Sequence, residues 1–252
     1  MTRPSAASAT VVGRQPVLEA LRSGLARQVL IAGRAAAATG LDEVLEEARR
    51  AGVPVSRVPA GELDRLAEGT RHQHVAAHTA LPLSLTEGDL AGPWPEDAVA
   101  LLLDGVTDPQ NLGAAARTAE AAGVAVLVTR RHRGAGITPA AVKASAGALL
   151  RVPLAHVANV TRAIGRLQDA GFWVVGMDGE ATGTIETAVR PPGRVAVVVG
   201  AEGAGLSRLV REACDELLAI PMRGRLASLN VSVAAGVALY AFALRPSPEK
   251  QE

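Results

Sequence analysis

From Ala98 onward the chain alternates short, wholly apolar runs with longer stretches of helical period, and this alternation fixes the fold class. The runs are residues 99–103, 124–128, 172–175, 195–199 and 217–220. A strand with a polar face on neither side is covered on both sides. Helical segments 112–122, 139–146, 160–170, 206–212 and 231–244 lie between and after these runs. The pattern predicts an α/β domain over residues 98–252, built on a mostly parallel sheet. Sheets of this kind bind ligands at the carboxyl ends of their strands. Chemistry is therefore expected in the loops after Leu103, Val175, Val199 and Ile220.

A smaller alternation fills residues 11–82. Gly13 makes a turn into a helix with Pro16 near its start, and residues 29–32 read as a strand. Residues 41–51 place Leu41, Val44, Leu45 and Ala48 on one helical face, and Gly52 suits the position just past the helix end. A strand at 53–58, a short helix at 62–66 and a strand at 74–77 complete a small α/β unit. Ser84, Gly88, Gly92, Pro93 and Pro95 break up residues 83–97, which are predicted to be a linker. Residues 1–10 are small and polar and are expected to be a disordered tail.

Composition removes several function classes. The chain is 48% hydrophobic but only 2% aromatic, so it lacks the ring platforms that stack single-stranded bases. Its net charge of +1 leaves no broad electrostatic footprint for nucleic acid, and any RNA contact must come from local arginines. Cys214 is the only cysteine, which rules out an intrachain disulfide and a cysteine-based zinc site. The five histidines show no ligand spacing, so no metal is expected. No leader or membrane-spanning run is visible, and a soluble, cytoplasmic protein is expected.

The loops carry the unusual residues. The first holds Asp108-Pro109-Gln110-Asn111, a turn with Asn111 at the expected N-cap. Arg117 follows among alanines, one turn beyond Gly113, on a helix read as buried. A near-buried arginine needs an anionic partner, and an RNA phosphate is a reasonable one. The second loop, Gly200-Ala201-Glu202-Gly203-Ala204-Gly205, lacks the glycine spacing of a dinucleotide site and follows a late strand. Glu202 reads equally as a helix N-terminal charge or as a loop carboxylate in the site.

The third loop is the oddest. Pro221 ends an apolar run, Met222 and Gly224 follow, and Ser228, Leu229, Asn230 and Ser232 precede a helix without a polar face. Such a helix is expected to be buried on every side. Ser and Asn are cap residues, but a cluster of them after Pro-x-x-Gly exceeds what a cap requires. Residues 176–179 are a weaker fourth lining element. The basic run 130–134 reads equally as solvated surface or as a phosphate contact. Lys143 to Gly147 reads as tight helix packing, and His72 with His74 as a local turn.

Taken together, the three loops resemble the three motifs of the SpoU (TrmH) family of RNA ribose 2′-O-methyltransferases, in the SPOUT class. The matching residues are Asp108-Pro109-Gln110-Asn111 with Gly113, Ala114 and Arg117; Gly200-Ala201-Glu202-Gly203 with Gly205; and Ile220-Pro221-Met222 with Gly224 and residues 228–234. Gly13, Val17, Glu19, Ala20 and Leu21 resemble the subgroup that methylates a guanosine of 23S rRNA, although His74 stands where that subgroup has glycine. The resemblance implies a trefoil-knotted C-terminal methyltransferase domain, a small N-terminal substrate-binding domain and a homodimer whose active site draws on both subunits. It implies S-adenosylmethionine as cofactor, with adenosine contacts from Gly200, Ile220 and Leu229 and with Met222 and Ser228 nearby. Arg117 is implied as the main catalytic residue. Asn111 would orient the ribose or Arg117, Glu202 would hold the loop or Arg117, and Ser228 and Asn230 would order the knot and the hydroxyl. Alternatives are the same chemistry on tRNA or on a drug-resistance nucleotide of rRNA, or a non-catalytic ribosome assembly factor.

Overall fold

The computed structural model describes residues 8–33, 40–80, 84–132, 134–243 and 245. Two sheets organise the chain. The first comprises β1 (Ser8–Val12), β2 (Ala26–Ala32), β3 (Val55–Val58) and β4 (Val75–Ala80) in the order β1-β4-β2-β3. Helices α1 (Arg14–Arg22), α2 (Asp42–Arg50) and α3 (Ala60–Ala67) connect them. Leu41, Val44 and Ala48 are buried as the helical period predicts, and Gly52 takes a φ of 66° just past the helix end.

The second sheet contains β5 (Ser84–Leu85), β6 (Val99–Asp104), β7 (Val126–Arg130), β8 (Leu154–Val157), β9 (Phe172–Met177), β10 (Gly183–Thr184), β11 (Arg194–Gly200) and β12 (Glu216–Ala219). Its order is β10-β12-β9-β11-β6-β7-β8-β5, and its pairings are parallel. Leu101, Leu103, Leu127, Val197 and Val199 point into one core. Ala100, Leu102, Val126, Val128, Ala196 and Val198 point into the other. Double coverage explains why these strands read as unbroken apolar runs. Helices α4 (Pro109–Ala121), α5 (Pro139–Ala144) and α8 (Val231–Ala238) cover the first core, with Leu239–Ala243 continuing α8 as a wider turn. Helices α6 (Val160–Asp169) and α7 (Arg208–Ala213) cover the second.

Three expectations need correction. The tail boundary at Thr10 falls inside β1, because Ser8, Ala9 and Thr10 pair with Ala80, Thr79 and His78 and so satisfy their backbone in the first sheet. Residues 1–7 of that expected tail lie outside the described residues. The 84–97 part of the expected linker is built into the second domain. Ser84 and Leu85 pair with β8, Leu90 is buried, and Trp94 packs edge-to-face on Phe172 at 5.9 Å. Arg194 donates to the carbonyls of Trp94 and Pro95 at 2.8 and 3.0 Å, which pins the segment. The helix after the third loop is not buried on every side. Val233 and Tyr240 are 49% and 52% exposed on one face.

The two units are joined by packing. Val142 and Leu150, from the second unit, lie in the core of the first. Arg151 bridges Glu19 at 2.5 Å and Glu120 at 3.0 Å, so one guanidinium ties α1 to α4. Two turns earlier on α4, Gly113 allows α5 to close. A Cβ there would lie 2.3 Å from the Ala141 carbonyl oxygen and 2.7 Å from Ala144 Cβ.

Gly113→Ala is therefore expected to cost about 2 kcal/mol or more through overpacking. Gly165, on α6 with nothing within 4 Å, is the control. Gly165→Ala should stabilise by about 0.5–1 kcal/mol through helix propensity. Urea unfolding of both variants checks the opposite signs.

Candidate active site

The parallel arrangement brings the ends of β6 and β11 side by side, with Asp104 opposite Gly200. Two loops leave from this point. Asp104 is buried, and its carboxylate accepts from Ser207 N at 2.8 Å, which ties the end of β6 to the start of α7. This residue was missed as a site element; its signal was a carboxylate closing a wholly apolar run. Asp108 caps α4 by accepting from Gln110 N at 3.0 Å, with Pro109 in the first turn. Asn111 is therefore inside the helix rather than its N-cap, and its side chain is released for another contact.

That contact is Asn230. Its Nδ2 donates to Asn111 Oδ1 at 3.0 Å and to Glu202 Oε2 at 3.3 Å. Its Oδ1 accepts from Ser232 N at 3.0 Å and from Ser232 Oγ at 2.7 Å, capping α8. Asn230 is thus both the cap and the junction of the three loops. Glu202 takes the loop-carboxylate role, since α7 begins only at Arg208.

The second loop is closed by Gly205 N donating to Ala201 O at 2.8 Å. Its return passes directly over Gly200, where a Cβ would lie 2.1 Å from the Gly205 carbonyl carbon. Only glycine fits beneath this chain reversal. In the third loop, Ile220 and Leu229 are half-buried, while Met222 and Ser228 are exposed. Among the described residues, no other backbone group bonds the backbone of Met222 to Leu229. The loop therefore offers free N–H and C=O groups next to Asn230.

Arg117 makes no bond to this cluster among the described residues. It is exposed, against the near-buried position expected for it, and has no hydrogen-bond or ion-pair partner among the described residues. Six residues of helix separate it from Asn111, a rise of about 9 Å and a large rotation about the axis. Its neighbour Thr118 faces α8, close to Gly236.

The lesser candidates divide. Asp178 accepts from Arg211 at 2.7 Å and is thereby occupied. Ser145 donates to the Val142 carbonyl and accepts from Leu149 N, so its segment is packing. Gln73 and His74 have φ values of 50° and 65°, which explains why a glycine is expected at the second position. His72 bonds Asp64 at 3.1 Å within the same turn. Burial first, and nearby carboxylates second, push the Cys214 thiol up to about 12, which leaves it protonated and unreactive. Among the described residues no helix is long and apolar enough to cross a membrane, and no cluster of His, Cys, Asp or Glu could hold a metal ion.

A parallel sheet with three polar loops joined at one edge by an asparagine defines a class of enzyme domain, and sequence comparison names it. Residues 98–240 match the SpoU rRNA Methylase family, and residues 10–83 match the family described as RNA 2′-O ribose methyltransferase substrate binding. The chain belongs to the SpoU rRNA methylase family. It is 45% identical over 199 residues to the 23S rRNA (guanosine-2′-O-)-methyltransferase RlmB of Vibrio cholerae, covering 78% of this chain and 80% of that one. A Mycolicibacterium vanbaalenii relative, named an uncharacterized tRNA/rRNA methyltransferase, is 41% identical over 91% of this chain and 74% of its own. Among solved structures, the SpoU methyltransferase AviRb from Streptomyces viridochromogenes, in complex with the cofactor AdoMet, superposes with a TM-score of 0.78. It is 26% identical, with 94% of this chain and 89% of that one covered.

Two outcomes test this geometry. Asn230→Ala removes the cap and both amide bonds and should cost about 2–3 kcal/mol in urea unfolding. Ser232→Ala removes one hydroxyl bond and should cost about 1 kcal/mol or less; equal losses would contradict the junction. Separately, burial and then the nearby Arg131 charge hold the His156 pKa below 6.5. The unfolded chain then binds the extra proton first, so stability is lost as pH falls below about 6.5. The urea midpoint should drop between about pH 7.5 and 5.5 in the wild type, and less in His156→Gln.

Proposed function

We infer that this protein transfers a methyl group from S-adenosylmethionine to the ribose 2′-hydroxyl of a guanosine in 23S rRNA. The observation that carries this reading is the Asn230 junction, which holds Asn111 and Glu202 at the mouth formed by the three loops. RlmB relatives at 45% identity supply the substrate. The N-terminal unit would hold the rRNA, and the protein would act in the cytoplasm where that RNA is made.

The residues present suit the cofactor. Free backbone groups from Met222 to Leu229, with the half-buried Ile220 and Leu229, would hold the adenosine. Gly200 and the exposed Met222 and Ser228 would add further contacts, as the motif resemblance implies. When bound, S-adenosylmethionine supplies a methyl group on a positively charged sulfur. The protein's tasks are to align the 2′-oxygen and to ease loss of its proton. Arg117 performs the second. Its guanidinium is a cation with donors only, so it is not a resting base. It binds the phosphate beside the reacting ribose and lowers the cost of alkoxide character at the 2′-oxygen. Asn111 orients the ribose, while Glu202 and Asn230 fix the loop that receives it.

No bond joins Arg117 to the Asn230 cluster among the described residues, and in a homodimer a second copy would supply the arginine. Val233 and Tyr240 leave an i, i+7 apolar stripe exposed on α8 and its continuation, and Thr118, the neighbour of Arg117, meets the same helix at Gly236. A second copy covering this stripe would bring its own Arg117 to the Asn230 cluster. The expected trefoil knot belongs to the same reading, with α8 packed on α4 and β11 after the third loop.

Methyl transfer from labelled cofactor to 23S rRNA tests the proposal. Arg117→Ala should lower transfer about 100-fold or more while cofactor affinity stays within about twofold of wild type. Asn230→Ala should also be inactive. Mixing the two inactive variants should restore part of the activity, because a mixed dimer holds one intact composite site. Absence of restoration in verified mixed dimers would place Arg117 and Asn230 in the same chain's site.

A further inference from the structure

We propose that Arg130 and Arg131, with His132 beside them, form a phosphate-binding step for the RNA strand that runs between the reacting ribose and the N-terminal domain. This rests on the RNA methyltransferase reading and adds a contact outside the three motifs.

Position is the first argument. β7 pairs in parallel with β6, so its carboxyl end lies at the same sheet edge as the loop leading to Asn111. The two loops are tied, since Ala135 N donates to Val106 O at 2.9 Å. Farther along the same loop, Ile137 packs against both the catalytic core and the core of the N-terminal unit. The segment therefore spans the ground between the two RNA-contacting parts of the protein. An RNA strand held by both would run past it.

Charge is the second. Several arginines elsewhere are matched to carboxylates, such as Arg162 with Glu87 at 2.8 Å and Arg211 with Asp178 at 2.7 Å. Arg130, Arg131 and His132 have no ion pair among the described residues. Arg131 is exposed, and its charge is felt at His156, whose pKa it helps to lower.

The third argument is an unmet hydrogen bond. Among the described residues the Nε of Arg130 is buried without a hydrogen-bond partner, as is the Oγ1 of Thr129 before it. Gly134 lets the loop fold tightly over Arg130, since a Cβ there would lie 2.3 Å from the Arg130 carbonyl oxygen. The arginine stem is thus held while a guanidinium donor stays unsatisfied, an arrangement that costs free energy until an acceptor arrives. A phosphate oxygen matches the planar donor fork of arginine.

The test measures RNA affinity against salt concentration for the full-length protein. It uses a 23S rRNA fragment and an RNA of equal length and scrambled sequence. The variants are Arg131→Gln, which changes only an exposed side chain, and the double variant Arg130→Gln/Arg131→Gln. Each lost phosphate contact should flatten the log–log salt slope by about 0.7–0.9. The double variant should bind both RNAs roughly tenfold more weakly at about 0.1 M salt. Arg166→Gln, which removes an exposed charge on α6, should leave the slope as in the wild type. A wild-type slope in Arg131→Gln, an equal flattening in Arg166→Gln, or a loss confined to the cognate RNA would each overturn the phosphate step alone. A wild-type protein that binds neither RNA would overturn the underlying reading as well.

Discussion

The amide of Asn230 is the interaction on which the site depends. An asparagine side chain has two donor hydrogens and one acceptor oxygen, and here both ends are used. The oxygen starts α8, and the nitrogen joins the helix after β6 to the loop after β11. Neither aspartate nor serine could serve both ends, since aspartate has no donor and serine has too short a reach. The parallel sheet makes the junction possible. Only parallel strands deliver successive loops to one edge, and the β6–β11 pairing sets Asp104 against Gly200 in register. Asp104 then fixes the return of the second loop through Ser207.

Much of this was legible in the sequence, for stated reasons. Apolar runs gave the buried parallel strands because coverage on both faces leaves no room for polar residues, as at Val195 to Val199. The three polar loops stood out because each interrupts such a pattern at a strand end. Other features depend on tertiary choices that no local pattern encodes. Two residues compete to cap α4, and Asp108 wins because Pro109 fits the first helical turn. Asn111 is thereby free to meet Asn230, a residue far along the chain. Short strands such as Ser84–Leu85 escaped notice because a pairing of this length has no periodicity to read.

Arg117 and α8 show the same limit in another form. A run of small and apolar residues reads as buried, and in one chain it is not. Sequence reports that a face wants to leave water, but not whether its cover comes from the same chain or from a copy. On the proposed homodimer, the exposed arginine and the exposed apolar residues of α8 would have one cause, a second copy whose arginine enters the site. The packed boundary between the two units, with Arg151 set between Glu19 and Glu120, would hold the RNA-binding surface at a defined distance from that site.

The most direct test of the account is the identity of the product. Unmodified 23S rRNA would be incubated with the protein and S-adenosylmethionine, digested to nucleosides and examined by mass spectrometry. The account predicts 2′-O-methylguanosine, formed by the wild type and absent with Arg117→Ala. Methylation on a base, or 2′-O-methylation of a nucleoside other than guanosine, would contradict it.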